Sequence, residues 1–411
     1  MLSTPIEPRA ARRTLSPRLA YAHVAAVIGL ALFASGAPSP LYGTYRELWG
    51  FSPVVLTLVY ATYAFGVLAA LLLAGRVSDE IGRRPVLLTA LATLMATSVL
   101  FMLADSTAWL FVARGIQGIA TGLALGAASA ALLELHPRRN ASHVGLTNGI
   151  VSAGGMGLGV LISAMLVQFA PAPRVLPYIV MLALFAVAFA GALRMPEPVA
   201  ASRGVRLTPQ RPSVPHVVRR PFLLAALAVI SSWSIGGIFL SLGPALSASL
   251  FHTDNHLVTS LGVFALAGTG AAAQFAFGRS APWAGTAVGS LALATGMVAM
   301  VLAASTETTA LYWIGTVIGG GGFGVAFLGG LRALSAAIPP QHRAEVMSAF
   351  YVVAYTAISL PAILAGVLVT PLGLESTFEI FGSVVAALSL AVGFEAYRTR
   401  PASASVAVEL A

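Results

Sequence analysis

The sequence predicts an all-α integral membrane protein with about twelve transmembrane helices in two six-helix halves. Three observations lead to this fold class: the composition, the spacing of apolar runs, and the distribution of arginine. Of 411 residues, 58% are hydrophobic and 9% are charged, whereas a soluble domain carries about 25% charged residues. Because so few charges cannot cover the surface of a water-soluble protein of this size, we expect the chain to lie in a bilayer.

The apolar runs are long enough to cross a membrane, which takes about 20 mostly apolar residues per helix. A charge at the bilayer centre is costly, so charged residues should fall between these runs, and they do. The last run is the least clear, because Glu379 and Glu395 flank a short apolar core. The twelve predicted spans are 19–44, 54–75, 85–104, 107–134, 144–169, 175–195, 221–248, 257–278, 282–304, 308–331, 345–370 and 376–396.

Arginine supplies all 23 basic residues, and its placement predicts the orientation, because positive residues stay on the cytoplasmic side. With a cytoplasmic N-terminus, Arg46 and Arg174 fall in outer loops, Arg114 lies within a span, and the other 20 arginines are inside. We therefore expect a multi-pass protein of the bacterial inner membrane with both termini in the cytoplasm. The net charge of +9 follows from topology and does not indicate nucleic-acid binding.

Two residue types are missing from the sequence, and their absence excludes several kinds of site. Without cysteine there are no disulfides, thiolate metal sites or cysteine nucleophiles. Without lysine there is no Walker-type phosphate loop, so we expect no ATP binding. The chain also lacks H-E-x-x-H, G-x-S-x-G and paired aspartates at membrane depth, which argues against an enzyme. We expect no cofactor and no metal, and a monomer whose partners are a small-molecule substrate and the lipid bilayer.

One long linker, 196–220, is rich in proline and arginine and divides the spans into six and six. It sets the predicted domains: a cytoplasmic tail 1–18, a bundle 19–195, the linker 196–220, a second bundle 221–397, and a tail 398–411. A weak internal repeat crosses the linker, since Gly75-Arg76 recurs as Gly278-Arg279. Two six-helix halves related by an axis along the membrane normal are a known transporter architecture.

The loop between the second and third spans reads Gly75-Arg-Val-Ser-Asp79-Glu-Ile-Gly82-Arg83-Arg84-Pro. It resembles the G-x-L-a-D-r-x-G-r-k signature of the major facilitator superfamily. The resemblance implies the major facilitator fold and a conformational switch at Gly75, Asp79, Gly82, Arg83 and Arg84. An aspartate near a helix C-terminus is unfavourable by the helix dipole, so Asp79 needs a partner. The candidates are the neighbouring arginines or, as the family suggests for the outward-facing state, the helix that begins near Arg343.

The fourth span carries Arg114-x-x-Gln117-Gly118, similar to a family motif best known in proton-coupled members. An intramembrane charge indicates a functional site, and Gln117 lies one turn further on the same face. Arg114 is predicted either to tune a proton site or to bind an anionic substrate group; anchoring the outer end of the span is the structural alternative. His23 is a proton candidate because histidine titrates near neutral pH, although it lies close to the cytoplasmic end. Glu134 is interpreted as a solvated salt-bridge partner of its neighbours.

A largely aromatic cavity is expected between the halves near the midplane. Such a pocket favours lipophilic or weakly polar solutes. Tyr42 is open to a second interpretation as an interfacial belt residue. The cavity candidates are Tyr42, Tyr63, Asn148, Trp233, Gln274, Phe327, Tyr351 and Tyr355.

The leading hypothesis is a secondary active transporter that works by alternating access, exporting a drug or metabolite in exchange for protons. Two observations weaken proton antiport: the glycine-rich fifth span lacks the proline of the antiporter motif G-P-x-x-G-G, and no acid lies midway along the first span. The alternative is a symporter that imports a small organic acid with protons, with Arg114 binding its carboxylate. A receptor or assembly factor built on a carrier fold is a third hypothesis, and the intact signature loop argues against it.

Overall fold

The computed structural model describes residues 14–75, 77–199 and 209–400. The rest of the predicted tails and of the linker, together with Arg76, lie outside the described residues. The described residues form helices and no strand. The long helices are α1 (Pro17–Gly36), α2 (Pro53–Ala74), α3 (Arg83–Met102), α4 (Thr107–Leu135), α5 (Ala141–Phe169), α6 (Leu176–Ala192), α7 (Arg219–Phe251), α8 (His256–Phe277), α9 (Pro282–Thr306), α10 (Thr309–Ala337), α11 (Arg343–Leu372) and α12 (Leu374–Arg398).

These helices confirm the predicted fold class of an all-α, multi-pass membrane protein. Within the described part of the chain, 11 helical segments are long and apolar enough to cross a membrane, and α6 is a shorter apolar helix. Long apolar side chains such as Phe275, Val187 and Phe394 are exposed on the outside of the bundle. A soluble protein rarely exposes so many large apolar groups, so this surface fits contact with lipid tails.

The first predicted span is interrupted where its prolines lie. α1 ends at Gly36, a 3-10 turn follows over Ser39–Leu41, and a short helix covers Tyr42–Trp49. Proline has no backbone N–H and cannot donate to the carbonyl four residues earlier. Pro38 therefore leaves the carbonyl of Ala34 without its helical partner, and this free carbonyl matters at the site described below.

The two six-helix halves, α1–α6 and α7–α12, meet along two antiparallel helix pairs. We call the end of the bundle at which α1 begins the inner end, and the opposite end the outer end. In the α5–α8 pair, the backbone N–H of His256 donates to Gln168 Oε1 over 2.8 Å at the outer end. Leu146 packs against Gly278 at the inner end of the same pair.

The second pair is α2 with α11. Thr57 lies against Gly366 near the outer end, and Tyr63 packs with Tyr355 further inside. The halves therefore touch along most of the length of both helix pairs.

The glycines of α5 pack on two sides. Gly155 and Gly159 lie against Gly29 and Phe33 of α1, so close that a Cβ at either position would collide with the α1 backbone. Small residues permit this close approach of membrane helices. Gly157 instead faces α8. The glycine-rich pattern of the fifth span therefore serves packing against α1 as well as the expected contact with α8.

Candidate functional site

Arg114 of α4 is completely buried, with 0% of its side chain exposed. Its Nε donates to the hydroxyl of Tyr42 over 2.9 Å and its Nη2 donates to the same hydroxyl over 2.5 Å. Its Nη1 donates to the carbonyl of Ser35 over 3.1 Å and to Gln117 Oε1 over 2.8 Å. The structure therefore places Arg114, Gln117 and Tyr42, which the sequence singled out separately, in one hydrogen-bonded group.

Gln117 completes this group by binding the interrupted end of α1. Its Nε2 donates to the carbonyl of Ala34 over 3.0 Å, and its side chain is also 0% exposed. This is the carbonyl that Pro38 leaves unpaired. Together with the bond from Arg114 to the Ser35 carbonyl, α4 supplies the donors that the last turn of α1 lacks.

The guanidinium of Arg114 has no acidic partner within the described residues. The ion pairs found there join Arg83 to Asp79 and Glu134, and His342 to Glu345. The positive charge instead lies over two aromatic rings, 5.5 Å from the centroid of Tyr42 and 5.2 Å from that of Tyr63. Burying an unpaired charge is costly; oxygen acceptors and cation–π contacts offset part of that cost. The arrangement suits an incoming anionic group.

An aromatic cluster continues from Tyr63 into the other half of the molecule. Tyr63 packs with Tyr355, Tyr351 and Trp233. The ring of Trp233 lies 5.4 Å from that of Phe327 and 5.4 Å edge-on from that of Tyr355, centroid to centroid. These are favourable distances for aromatic pairs. We call Tyr63, Trp233, Phe327, Tyr351 and Tyr355 the inter-half cluster, because Tyr63 belongs to α2 and the others belong to α7, α10 and α11.

The remaining polar cavity candidates are Asn148 of α5 and Gln274 of α8. Asn148 Nδ2 donates to Ser129 Oγ over 2.8 Å, and Ser152 donates to Asn148 Oδ1 over 3.2 Å. Gln274 is 2% exposed, lies against Gly149, and its Oε1 has no hydrogen-bond partner within the described residues. Asn148 is therefore bonded within the first half, whereas Gln274 lies in the α5–α8 contact. Within the described residues, no hydrogen bond joins either of them to Arg114.

Tyr42, for which the sequence left an interfacial position open, is buried, and so is Tyr45 in the same short helix. Tyr45 donates to the hydroxyl of Tyr178 over 3.1 Å and stacks on Trp49 with ring centroids 4.9 Å apart. A buried tyrosine needs a partner for its hydroxyl, and Arg114 supplies the partner of Tyr42. The belt interpretation is therefore wrong for Tyr42.

His23 lies away from the Arg114 group, on the side of α1 that faces α6. Its ring packs against Gly191, where a Cβ would come within 2.7 Å of its Nδ1. Its Nε2 is buried and has no hydrogen-bond partner among the described residues. The structure therefore does not bring His23 together with Arg114 and Gln117, the other residues predicted for coupling.

The switch loop forms a compact charged group at the inner end. Arg83 Nη1 pairs with Asp79 over 2.5 Å, and Arg83 binds both oxygens of Glu134, from Nη2 over 2.7 Å and from Nε over 3.1 Å. Of the partners that the sequence offered for Asp79, the one present here is a neighbouring arginine. Glu134 pairs with Arg83, not with the residues that follow it in sequence, and its side chain is partly buried.

A second acid, Glu197, holds the switch loop, and no motif in the sequence points to it. Glu197 Oε1 accepts from the backbone N–H of Arg83 over 2.8 Å, and its Oε2 accepts from that of Arg84 over 2.9 Å. Gly82 precedes these residues with φ of 99°, a conformation that favours glycine. A carboxylate at a helix N-terminus satisfies free N–H groups and the helix dipole. No local pattern links Glu197 to α3, because the two are 113 and 114 residues apart in sequence.

Comparison with known proteins finds one matching family model, several similar curated proteins and a similar solved structure. The model of the Major Facilitator Superfamily matches residues 24–362. The multidrug resistance protein MdtL of Escherichia coli O157:H7 is 36% identical over 100 residues, which is 24% of this chain and 26% of that protein. MdtL of Klebsiella pneumoniae strain 342 is 34% identical over 122 residues, 29% of this chain and 31% of that protein.

The matched segments therefore span about a quarter to a third of these curated relatives. Among solved structures, the human organic anion transporter MFSD10 (TETRAN) matches with a TM-score of 0.64 and 18% identity, over 93% of this chain and 100% of that one. At this identity the likeness concerns the fold alone.

Proposed function

The chain belongs to the major facilitator superfamily, and on that premise we propose that it exports small lipophilic or weakly polar solutes in exchange for protons by alternating access. The observation that carries the proposal is the inter-half cluster beside the buried Arg114. Tyr63 connects the two, since its ring lies under the guanidinium and packs with Tyr355. An aromatic surface that both halves share favours solutes with apolar or aromatic bodies.

The position of the inter-half cluster fits a transporter that works by alternating access. A solute bound between the halves changes sides when the halves rock around it. The inter-half cluster draws side chains from both halves, so separating them at either end would expose part of the same surface. The names of the MdtL relatives support export. The motif of Arg114 and Gln117, which resembles one known in proton-coupled members, supports a proton gradient as the energy source.

Transport in proteoliposomes with an imposed pH gradient tests this proposal. A panel of lipophilic cations, neutral drugs and small organic acids would be followed in both gradient orientations. We expect a lipophilic solute to accumulate opposite to the proton flow, and Trp233→Ala to raise its KM by about tenfold through loss of aromatic contacts. Trp313→Ala is the matched control, because Trp313 packs with Phe251 and Tyr312 outside the inter-half cluster.

Equal losses in Trp233→Ala and Trp313→Ala would mean that the cluster has no special role in binding. Flux that does not depend on the gradient would remove proton exchange from the proposal.

One observation favours a second candidate, the import of a small organic acid together with protons. Arg114 is buried and has no carboxylate partner within the described residues. A substrate carboxylate could take that place through a bidentate pair, which lysine cannot form. Accumulation of an acid along the proton gradient, lost in Arg114→Lys and kept in the exposed control Arg174→Lys, would replace export with this function. Arg114→Lys with unchanged transport would remove it.

The same proposal places the protein in a bacterial inner membrane with both termini in the cytoplasm. The arginine distribution supports this orientation, and the bacterial origin of the MdtL relatives supports an inner membrane. Because the chain has no cysteine, single substitutions at exposed positions give a clean test. An impermeant maleimide added to intact cells should label Ala108→Cys at the outer end and leave Ser142→Cys at the inner end unlabelled. The reverse pattern would invert the topology.

A further inference from the structure

Gln210 lies in the described part of the linker, at the inner end of the α2–α11 pair. Its backbone N–H donates to the carbonyl of Leu72 in the last turn of α2 over 2.9 Å. Its side-chain Oε1 accepts from the hydroxyl of Ser348 on α11. One linker residue thus binds a helix of each half. No feature of the sequence singled it out.

The bond from Gln210 to α2 gives the backbone carbonyl of Leu72 a hydrogen-bond donor. The last four carbonyls of a helix have no N–H within the helix, and Leu72 lies in the final turn of α2, which ends at Ala74. The amide of Gln210 also covers Gly75, where a Cβ would come within 2.8 Å of its Nε2. Gly75 opens the switch loop, so Gln210 touches the element that the family resemblance connects with conformational change.

The linker around Gln210 is anchored to the second half. The backbone N–H of Ser213 donates to the carbonyl of Glu345 on α11 over 3.3 Å. Val214 packs against the apolar cluster that includes Phe222, Val346 and Phe350. The contact of Gln210 with Leu72 therefore joins the second half to the first.

The bonds made by Gln210 differ from the other inner-end contacts between the halves. Leu146 with Gly278, and Gly149 with Gln274, meet by close packing, which can separate and reform without leaving a polar group unpaired. The carbonyl of Leu72 and the hydroxyl of Ser348 have directional partners in Gln210. Ser348 also has the carbonyl of Ala344 as an acceptor at 2.8 Å, so its hydroxyl stays paired when its bond to Gln210 breaks, whereas Gln210 Oε1 loses its donor.

We propose that Gln210 is a positioning residue of the transport cycle, which holds the inner ends of α2 and α11 together and is released when the inner side opens. We call this group of Gln210, Leu72 and Ser348 the linker latch. The inference rests on alternating access within the proposed function. It adds the linker, which lies outside both bundles, to the contacts that close the inner end. Weakening the latch should favour the state that is open at the inner end.

Spin-label distances in nanodiscs measure this directly and need no substrate. Two introduced cysteines, Ser142→Cys on α5 and Ala337→Cys on α10, lie at exposed inner-end positions in different halves. Gln210→Ala and, separately, Ser348→Ala each remove the side-chain bond between Gln210 and Ser348 and keep the backbone N–H that binds Leu72. Each should raise the ratio of long to short inner distances by about threefold to tenfold, the effect of one ordinary hydrogen bond. The matched control is Gln341→Ala, a substitution of the same residue type at an exposed inner-end position.

The linker latch predicts a specific pattern. Both variants lengthen the inner distances, Gln341→Ala leaves them as in the parent, and Gln210→Glu, which keeps the acceptor for Ser348, restores part of the parent distribution. Inner distances in Gln210→Ala and Ser348→Ala that superimpose on the parent would overturn the proposal, as would an equal change in Gln341→Ala. The latch and the proposed function can fail separately. If the inner distances change in these variants but the protein transports no solute, the proposed function is rejected and the latch stands. If the protein transports a solute but the distances do not change, the latch is rejected and the proposed function stands.

Discussion

Ser39 and Leu240 are joined across the two halves by a hydrogen bond in which the serine hydroxyl donates to the backbone carbonyl over 2.7 Å. Ser39 lies in the turn that interrupts the first span, and Leu240 lies within α7. The carbonyl is available because Pro244, four residues on, has no N–H to give it. Pro38 and Pro244 thus each leave a carbonyl without its helical donor. The carbonyl of Ala34 accepts from Gln117 instead, and that of Leu240 accepts from Ser39.

This bond links the charged site to the closed outer end. Arg114 and Gln117 bind Ala34 and Ser35 at the end of α1, and Arg114 binds Tyr42 at the start of the short helix, so they hold both sides of the turn that carries Ser39. A ligand that draws Arg114 away from these partners would loosen the turn.

Ser39→Ala should shift the protein toward the state that is open at the outer end, because it removes the donor to Leu240. We expect a change of about 1 kcal/mol, measured as longer distances between spin labels on Ala108→Cys and Ala310→Cys. Ser305→Ala is the control, since the hydroxyl of Ser305 donates to the carbonyl of Leu302 in its own helix. A distribution identical to that of the parent would show that the bond does not hold the outer end.

Pro244→Ala should act in the same direction by another route. Alanine restores a backbone N–H that competes with Ser39 for the carbonyl of Leu240. The double variant Ser39→Ala/Pro244→Ala should therefore open the outer end no further than the larger single effect. Fully additive effects in this double-mutant cycle would argue that the two residues act independently.

Gln117→Leu should lower thermal stability and transport together. The substitution leaves the buried carbonyl of Ala34 without a donor and removes an acceptor from Arg114, which should cost about 1–3 kcal/mol. Thermal unfolding in detergent would measure the loss, with the exposed Gln341→Leu as the control. A melting temperature equal to that of the parent would mean that water molecules replace the lost hydrogen bonds, and that water reaches this buried site.

Glu197→Ala should destabilise the start of α3. It removes the acceptor from the N–H groups of Arg83 and Arg84, and loss of a helix cap typically costs about 0.5–2 kcal/mol. Hydrogen exchange of α3, compared with that of α9 in the same sample, would report the change locally. Glu47→Ala is the control, an exposed acid in the short helix Tyr42–Trp49. Unchanged protection of α3 would contradict the capping role.

Much of the fold could be predicted from the sequence because membrane helices obey local rules. Apolar length predicted the spans. The depth of Arg114 and its spacing from Gln117 predicted that they act together, since residues three apart share a helix face. The predicted span ends differ from the observed ones by a few residues, because helices such as α7 continue past the apolar run.

The partners of these residues could not be predicted in the same way. Glu134 was assigned to the residues beside it in sequence, yet it pairs with Arg83; Glu197, Gln210 and Leu240 carried no signal. Each of these bonds joins groups far apart in the chain, and many pairings satisfy the same composition.

The sequence by itself therefore determined that this is a polytopic membrane protein with an arginine inside a span and a charged switch loop. These features depend on residues within one or two helical turns of each other. Only the tertiary structure decided that the free carbonyls of Ala34 and Leu240 accept from Gln117 and Ser39. The same holds for the bonds of Arg114 to Tyr42 and α1, and for the binding of the linker to both halves. The physical reason is that a hydrogen bond needs two groups within about 3 Å, and for distant segments only the packing of the helices sets that distance.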